Sequence, residues 1–166
     1  MSFLLAYGSG AEPPSTPAAD DATSSEKVER MLRLVHPPRA AHVALVGHHI
    51  LPLLSALLRR GFSAVYGVRL GSLSSGSEIA DVVWIADMRS EGELDDALRI
   101  ARSRTSEKTR VVVEAAALAG YDGLATVRKH AARFGFCVLF TDRATRQMVL
   151  AAVPRQAMAA RCGSRQ

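Results

Sequence analysis

Two adjacent histidines, His48 and His49, are the local group best suited to catalysis or binding in this chain of 166 residues. They follow Gly47 in a turn after the apolar run VALVG. A histidine in such a turn can bind a metal, transfer a proton or contact an anion, or it can simply cap or fill the turn. Adjacent residues rarely chelate one metal by themselves, and no other His, Cys or acidic motif has supporting spacing. We therefore predict no metal site.

Two further polar residues follow apolar runs that are typical of strands. Asp87 ends ADVVWIAD, where it could form an acid/base group with a histidine and Glu114, or could only begin the next loop. Arg69 follows FSAVYGV and offers only hydrogen-bond donors, which would suit a phosphate. The sequence has no GxGxxG after VALVG and no Ser-His-Asp order, nucleophile elbow or phosphate-binding loop. The candidate site residues are Gly47, His48, His49, Arg69 and Asp87.

Short β-rich runs alternate with amphipathic helical stretches from Ala41 onward. Helices are predicted from about Ile50, from Ser90 with Glu93 at capping-box spacing, and over residues 121–134. This alternation predicts right-handed crossovers and a mostly parallel sheet with helices on both faces. The loop at 143–145 is too short for a parallel crossover, so the last two strands must form an antiparallel hairpin. The predicted fold class is α/β, a Rossmann-like three-layer sandwich with a mostly parallel sheet and a C-terminal antiparallel hairpin.

The composition divides the chain into four parts. Residues 1–25 are rich in Pro, Gly, Ala, Ser and Asp and are predicted to form a flexible N-terminal arm. Residues 26–36 carry one apolar stripe and predict a short helix that the two following prolines end. Residues 40–154 contain the alternating pattern of the folded domain, and residues 155–166 form a polar C-terminal tail.

The net charge of +5 and the pI near 9.8 permit an acidic partner, nucleic acid included. Only residues 59–60, residues 128–129 and the tail are locally basic, and scattered cations are typical of a solvated surface. The two cysteines exclude a disulfide scaffold, and Cys137 in FCVLF is predicted to be a small core residue. Neither a signal peptide nor a membrane-spanning run is recognisable, so we expect a cytoplasmic protein without membrane association.

The order of these segments resembles the class I S-adenosylmethionine-dependent methyltransferases over about two-thirds of the chain. VALVGHHILPLLSALLRRGFSAVYGVRLG is similar to the family's first strand, glycine loop, helix and second strand. ADVVWIAD resembles the family's fourth-strand segment, and HAARFGFCVLF resembles the helix that ends in Gly-Phe before the sixth strand. The resemblance implies that residues 40–154 form a methyltransferase-like Rossmann domain.

The sequence departs from the family at three places where the resemblance implies contacts with the methyl donor. Only Gly47 matches the glycine loop, whose glycines let the backbone approach the cofactor. Arg69, a donor, stands where the family has an acid that accepts hydrogen bonds from the ribose. About ten residues separate Val68 from Ile79, too few for the usual second helix and third strand, so one wall of the adenine pocket would be missing.

These departures lead to a first hypothesis and two others. The first is a catalytically inactive methyltransferase-like domain that needs no cofactor and acts as an interaction or regulatory module, through a protein partner or self-association. The second is a small-molecule methyltransferase that binds S-adenosylmethionine through an atypical loop, which a cavity beside Gly47, Arg69 and Asp87 would favour. The third is nucleic-acid binding through the basic tail and helix ends, against which the scarcity of aromatic residues counts.

Overall fold

The computed structural model describes residues 17–71, 78–116, 118 and 122–154. The predicted tail at 155–166 and the first sixteen residues of the predicted arm lie outside the described residues. The helices and strands, in chain order, are α1 Pro17–Val35, β1 Val43–Gly47, α2 Leu51–Arg59, β2 Val65–Val68, β3 Val82–Ala86, α3 Glu91–Ser103, β4 Arg110–Glu114, α4 Gly123–Arg133, β5 Phe136–Asp142 and β6 Gln147–Ala152.

The strands form one six-stranded sheet in the order β2-β1-β3-β4-β6-β5. Strands β2, β1, β3 and β4 are parallel, whereas β6 runs antiparallel to both β4 and β5. Helices α1 and α2 pack on one face of the sheet, and α3 and α4 pack on the other. The predicted three-layer α/β fold with a C-terminal antiparallel hairpin is therefore confirmed.

The central strands are apolar throughout because helices cover both of their faces. Every residue of β1 and of β3 is buried, with Trp84 of β3 fully enclosed. Such continuous apolar runs are typical of strands in a doubly covered parallel sheet. Because β1 and β3 are adjacent and parallel, the polar residues that follow them lie at the same edge of the sheet, where the carboxyl ends of the strands meet.

Helix α3 begins with a cap that the sequence predicted in part. The Ser90 side chain accepts a hydrogen bond from the Glu93 backbone N–H at 3.2 Å, as expected of an N-cap. In a capping box the Glu93 carboxylate would accept from the N–H of Ser90 itself. Here it accepts from the N–H of Arg89 at 2.8 Å. The Glu93 side chain thus reaches one residue further back, toward the edge of the sheet.

The first helix is longer than predicted. It begins at Pro17 and not at residue 26, so residues 17–25 are helical and the prediction of a flexible arm is wrong for them. Proline is favourable in the first turn of a helix, and the following alanines are strong helix formers. The helix is held against α2 by Arg60, which donates to the Ser25 hydroxyl at 2.8 Å and to the Glu29 carboxylate at 2.9 Å.

Cys137 lies on an end strand and not in the core. Cys137 is exposed, whereas its neighbour Phe136 is buried under α4. The two differ because successive side chains of β5 point to opposite faces. The prediction of a core cysteine is therefore wrong. Cys162 lies outside the described residues.

Candidate functional site

The five predicted site residues all lie at the carboxyl edge of the sheet. Gly47 ends β1 and is followed by His48 and His49, Arg69 follows β2, and Asp87 follows β3. The strands β2, β1 and β3 are adjacent and parallel, so their carboxyl ends open toward the same side. In open α/β sheets this edge is where ligands bind.

His48 is tied to the beginning of α3. Its Nε2 lies 3.0 Å from Oε1 of Glu93, whose other carboxylate oxygen accepts the Arg89 backbone N–H. The side chains of His48 and Glu93 are 38% and 29% exposed, so solvent screens this pair only in part. The turn after β1 and the first turn of α3 are thereby joined above the sheet edge.

His49 belongs to a second cluster, which lies around Asp87. Nε2 of His49 lies 2.7 Å from the Arg89 guanidinium, and both groups lie just under 4 Å from Oδ2 of Asp87. This carboxylate oxygen is buried and has no hydrogen-bond partner, although the His49 ring and the Arg89 guanidinium lie nearby. Asp87 also adopts a left-handed backbone conformation with φ of 57°, which is uncommon for a residue other than glycine.

The candidate residues line two different cavities. The larger one, of about 860 Å³, lies between α2 and the end of β2 and is lined by Gly47, His48, Arg69 and apolar residues of α2. The other, of about 330 Å³, lies under α1 and is lined by His49 and Asp87. Of the three residues whose shared cavity would favour a methyltransferase, Gly47 and Arg69 line the larger cavity and Asp87 lines the smaller one.

The predicted grouping of Asp87, histidine and Glu114 is found only in part. The buried Glu114 carboxylate lies 3.5 Å from Nζ of Lys27 on α1 and accepts a hydrogen bond from the Gln147 amide at 3.2 Å. Through these contacts the Glu114 carboxylate joins β4 to α1 and β6. Glu114 thus has a structural role of its own beside the Asp87 cluster.

Neither a protein-family profile nor a curated protein sequence matches this chain. Solved structures do match it. The sugar N-methyltransferase KedS8 from a Streptoalloteichus species is 13% identical, with 92% of this chain and 100% of that chain covered at a TM-score of 0.57. CalS10, an amino pentose methyltransferase from Micromonospora echinaspora, is 9% identical, with 87% and 100% covered at a TM-score of 0.59. The O-methyltransferase NcsB1 of neocarzinostatin biosynthesis is 19% identical, with 82% and 57% covered at a TM-score of 0.55.

The chain has the fold of the class I S-adenosylmethionine-dependent methyltransferases.

The connection between β2 and β3 starts at the β2 end of the sheet. Between Val68 and Val82 the described residues contain neither a helix nor a strand, and β2 is the end strand of the sheet. The cavity of about 860 Å³ lies between α2 and this end strand. Ile50, from the turn before α2, fills part of it: a Cβ added at Gly67 would lie 2.6 Å from the Ile50 side chain.

The residues that the sequence did not assign to the site are Glu93 and Arg89. Glu93 was expected only as a capping residue, and Arg89 only as part of a loop. The one available signal was their position, because both follow closely on Asp87 at the carboxyl end of a central strand. The Glu93 carboxylate contacts His48, and the Arg89 guanidinium contacts His49.

Among the residues that the structure describes, no group of three or more His, Cys, Asp or Glu side chains could hold a metal ion. Of the helices in the same part of the chain, none combines the length and hydrophobicity that crossing a bilayer requires.

The ionisation of Glu93 makes the stability of this edge depend on pH. The hydrogen bond from the Arg89 backbone N–H, together with the nearby His48 ring, holds the pKa of Glu93 below its ordinary value of 4.5. A lowered carboxyl pKa stabilises the folded state above its ordinary value, and this contribution is lost as the pH falls through the lowered pKa. We therefore expect Glu93→Gln to lower the free energy of unfolding at pH 7, with a difference from wild type that shrinks as the pH falls below 4.5.

Urea denaturation over a pH series measures this difference. The matched control is Glu107→Gln, which changes an exposed glutamate in the turn before β4. A Glu93→Gln difference that stays constant from neutral to acidic pH would contradict the expected linkage.

Proposed function

We propose that this chain is a methyltransferase-fold domain that transfers no methyl group and acts as an interaction module through self-association. The observation that carries the proposal is the pair of ionic clusters at the ends of β1 and β3. His48 with Glu93, and His49 with Arg89 and Asp87, occupy the edge of the sheet with side chains that contact one another. A ligand lying across this edge would have to separate these groups.

The end of β2 supports the first part of the proposal. A ribose held at this position offers hydroxyl groups, for which the family's acid is an acceptor; the Arg69 guanidinium is a donor only. Ile50 packs on Gly67 and takes up space between α2 and β2. Arg69 and Ile50 therefore do not fit the way in which the family holds the methyl donor.

The surface of α2 supports the second part. Leu51 and Leu58 are 74% and 46% exposed, and Leu54 between them is half-buried. Their spacing places them on one side of the helix, where they form an apolar stripe that continues into the groove above β2. We call Leu51, Leu54 and Leu58 the α2 stripe. The occupant that we propose for this surface is a second copy of the chain, since a twofold axis brings the same stripe from each copy together.

Calorimetric titration of the full chain with S-adenosylmethionine tests the first part. We expect no binding at micromolar concentrations, and micromolar binding by the wild type would overturn the proposal. The double variant His48→Gly/His49→Gly frees the turn, and His42→Gly is a matched control at the opposite end of β1. Far-UV circular dichroism shows whether each variant is folded.

A second candidate function is a small-molecule methyltransferase with an atypical cofactor loop. The observation that favours it is the cavity of about 860 Å³ beside Gly47 and Arg69, a volume within the range of small-molecule sites. Under this function the wild type binds S-adenosylmethionine, and the double glycine variant binds it more tightly. If the glycine substitutions change the stability of the protein but not its affinity for S-adenosylmethionine, that result excludes the methyltransferase and favours the interaction module.

Sedimentation equilibrium at micromolar protein concentration tests self-association. We expect a dimer for the wild type and a monomer for Leu51→Glu/Leu58→Glu, because buried charge opposes association at the α2 stripe. Leu139→Glu is the matched control, since Leu139 is 51% exposed on β5 at the opposite end of the sheet. A monomeric wild type, or a dimer that only the control dissociates, would contradict the proposal.

A further inference from the structure

A separate cleft with a strong positive charge lies on the other face of the sheet. Its volume is about 460 Å³, and it is formed where the start of α4 meets the turn between β5 and β6. Three arginines line it: Arg128 from α4, and Arg143 and Arg146 from the turn. We call this the arginine cleft. It shares no lining residue with the two cavities beside His48 and His49.

The three guanidinium groups have no carboxylate partner among the described residues. The contact of Arg146 is a long one, 3.5 Å to the Ala116 carbonyl oxygen. Asp122, the carboxylate in the cleft, already accepts the Ala125 backbone N–H at 2.9 Å as the N-cap of α4. The lining of the cleft therefore carries three guanidinium groups and one carboxylate, which leaves a net positive charge. Other exposed arginines of this chain, such as Arg99 and Arg133, do have acidic neighbours.

Local contacts hold the turn of the cleft and the Arg146 side chain in place. Asp142 accepts hydrogen bonds from the backbone N–H groups of Ala144 and Thr145, which holds the turn that carries Arg143. The guanidinium of Arg146 lies against Gly123, where an added Cβ would be 3.0 Å from Nη2. Glycine at the start of α4 thus leaves room both for the Ala115 carbonyl oxygen, which would be 2.9 Å from the added Cβ, and for the Arg146 side chain.

We propose that the arginine cleft binds the phosphate group of a small phosphorylated molecule. A guanidinium matches phosphate oxygens in a bidentate manner, and several of them facing one cavity need an anion of more than one charge to offset their mutual repulsion. The Thr141 hydroxyl in the cleft adds a neutral donor or acceptor. The volume lies within the range of small-molecule sites, which favours a metabolite over a polymer.

This inference goes beyond the proposed function and does not depend on it, since the cleft and the α2 stripe lie on opposite faces of the sheet. Binding of phosphate compounds and binding of S-adenosylmethionine are measured separately. If the phosphate-site proposal fails, the proposed function is unaffected, and the reverse also holds.

Calorimetry of the full chain with inorganic phosphate and with pyrophosphate tests the proposal. We expect pyrophosphate to bind more tightly than phosphate, and Arg143→Gln and Arg146→Gln each to weaken its affinity about tenfold. Arg128→Gln tests the α4 side of the cleft if a substitution in the turn prevents folding. The matched control is Arg110→Gln, which removes an exposed arginine from the far end of β4 and should leave the affinity unchanged.

Three results would overturn the proposal. The first is the absence of pyrophosphate binding, and the second is a loss in Arg110→Gln equal to that in the cleft variants. The third is tighter binding of a single-stranded oligonucleotide than of pyrophosphate, with the same sensitivity to the cleft variants and a steep dependence on salt. That third result would assign the cleft to nucleic acid.

Discussion

Replacing Gly47 with alanine is expected to lower the free energy of unfolding by about 3 kcal/mol, the upper part of the range for inserting an atom into a packed interior. A Cβ at this position would lie far closer to the Ala86 carbonyl oxygen, on the neighbouring strand β3, than van der Waals contact allows. It would also press on the buried Met88 side chain at 3.3 Å. The backbone of a central strand cannot move aside as a flexible side chain can.

Denaturation in urea, followed by the fluorescence of the single tryptophan, measures this loss. The matched control is Gly92→Ala in the first turn of α3, where an added Cβ comes no closer than 3.9 Å to another atom. We expect that control to be neutral or slightly stabilising, because alanine is the better helix former. Equal stability of the two variants would contradict the structural role of Gly47.

The result bears on function, because Gly47 is the residue that matches the family's glycine loop. In a cofactor loop, glycine is needed so that a ligand can approach the backbone closely. In this chain glycine is needed for the contact of β1 with β3 whether or not a ligand is present. The retained glycine therefore supports the fold and adds nothing to the case for a methyl donor.

Replacing Trp84 with alanine is expected to lower the free energy of unfolding by about 4 kcal/mol, in the range measured when large aromatic residues are removed from a core. Trp84 is fully buried in β3, between β1 and β4 and beneath α1 and α2. Its indole Nε1 is also buried and lacks a hydrogen-bond partner. An unsatisfied buried donor is unfavourable, so part of the packing stabilisation is offset.

Trp84→Phe should therefore cost much less than Trp84→Ala, since phenylalanine fills most of the space and removes the unsatisfied N–H. Far-UV circular dichroism is the appropriate measurement, because the variants lack the fluorescent residue. Equal losses in the two variants would show that the indole N–H stabilises the core after all.

The architecture was predictable because it depends on local patterns and on one loop length. The continuous apolar runs of β1 and β3 indicate strands covered on both faces. The short connection between β5 and β6 permits only an antiparallel pair. The start of α1 was not predictable from composition, since residues 17–25 resemble a flexible segment. Their helix is stabilised by contacts with Arg60, a residue distant in the sequence.

The edge that carries the site was predictable for a similar reason, because parallel strands end on the same side. The pairing of its side chains was not. His48 and His49 are adjacent, yet one lies against Glu93 and the other beside Asp87. Which way each side chain leaves the turn depends on the backbone of Gly47 and on the position of α3, and neither is encoded in the spacing of the histidines.

The irregular register of β5 has a consequence for the size of any assembly. Strand β5 forms the end of the sheet opposite β2, and its pairing with β6 shifts between Val138 and Phe140, as at a β-bulge. A bulge disturbs the regular row of donors and acceptors along an end strand and so discourages the addition of another strand. Addition of a strand at β5 is therefore disfavoured. In the proposed self-association, an assembly formed through the α2 stripe on a twofold axis would then close at two chains and would not extend into fibres.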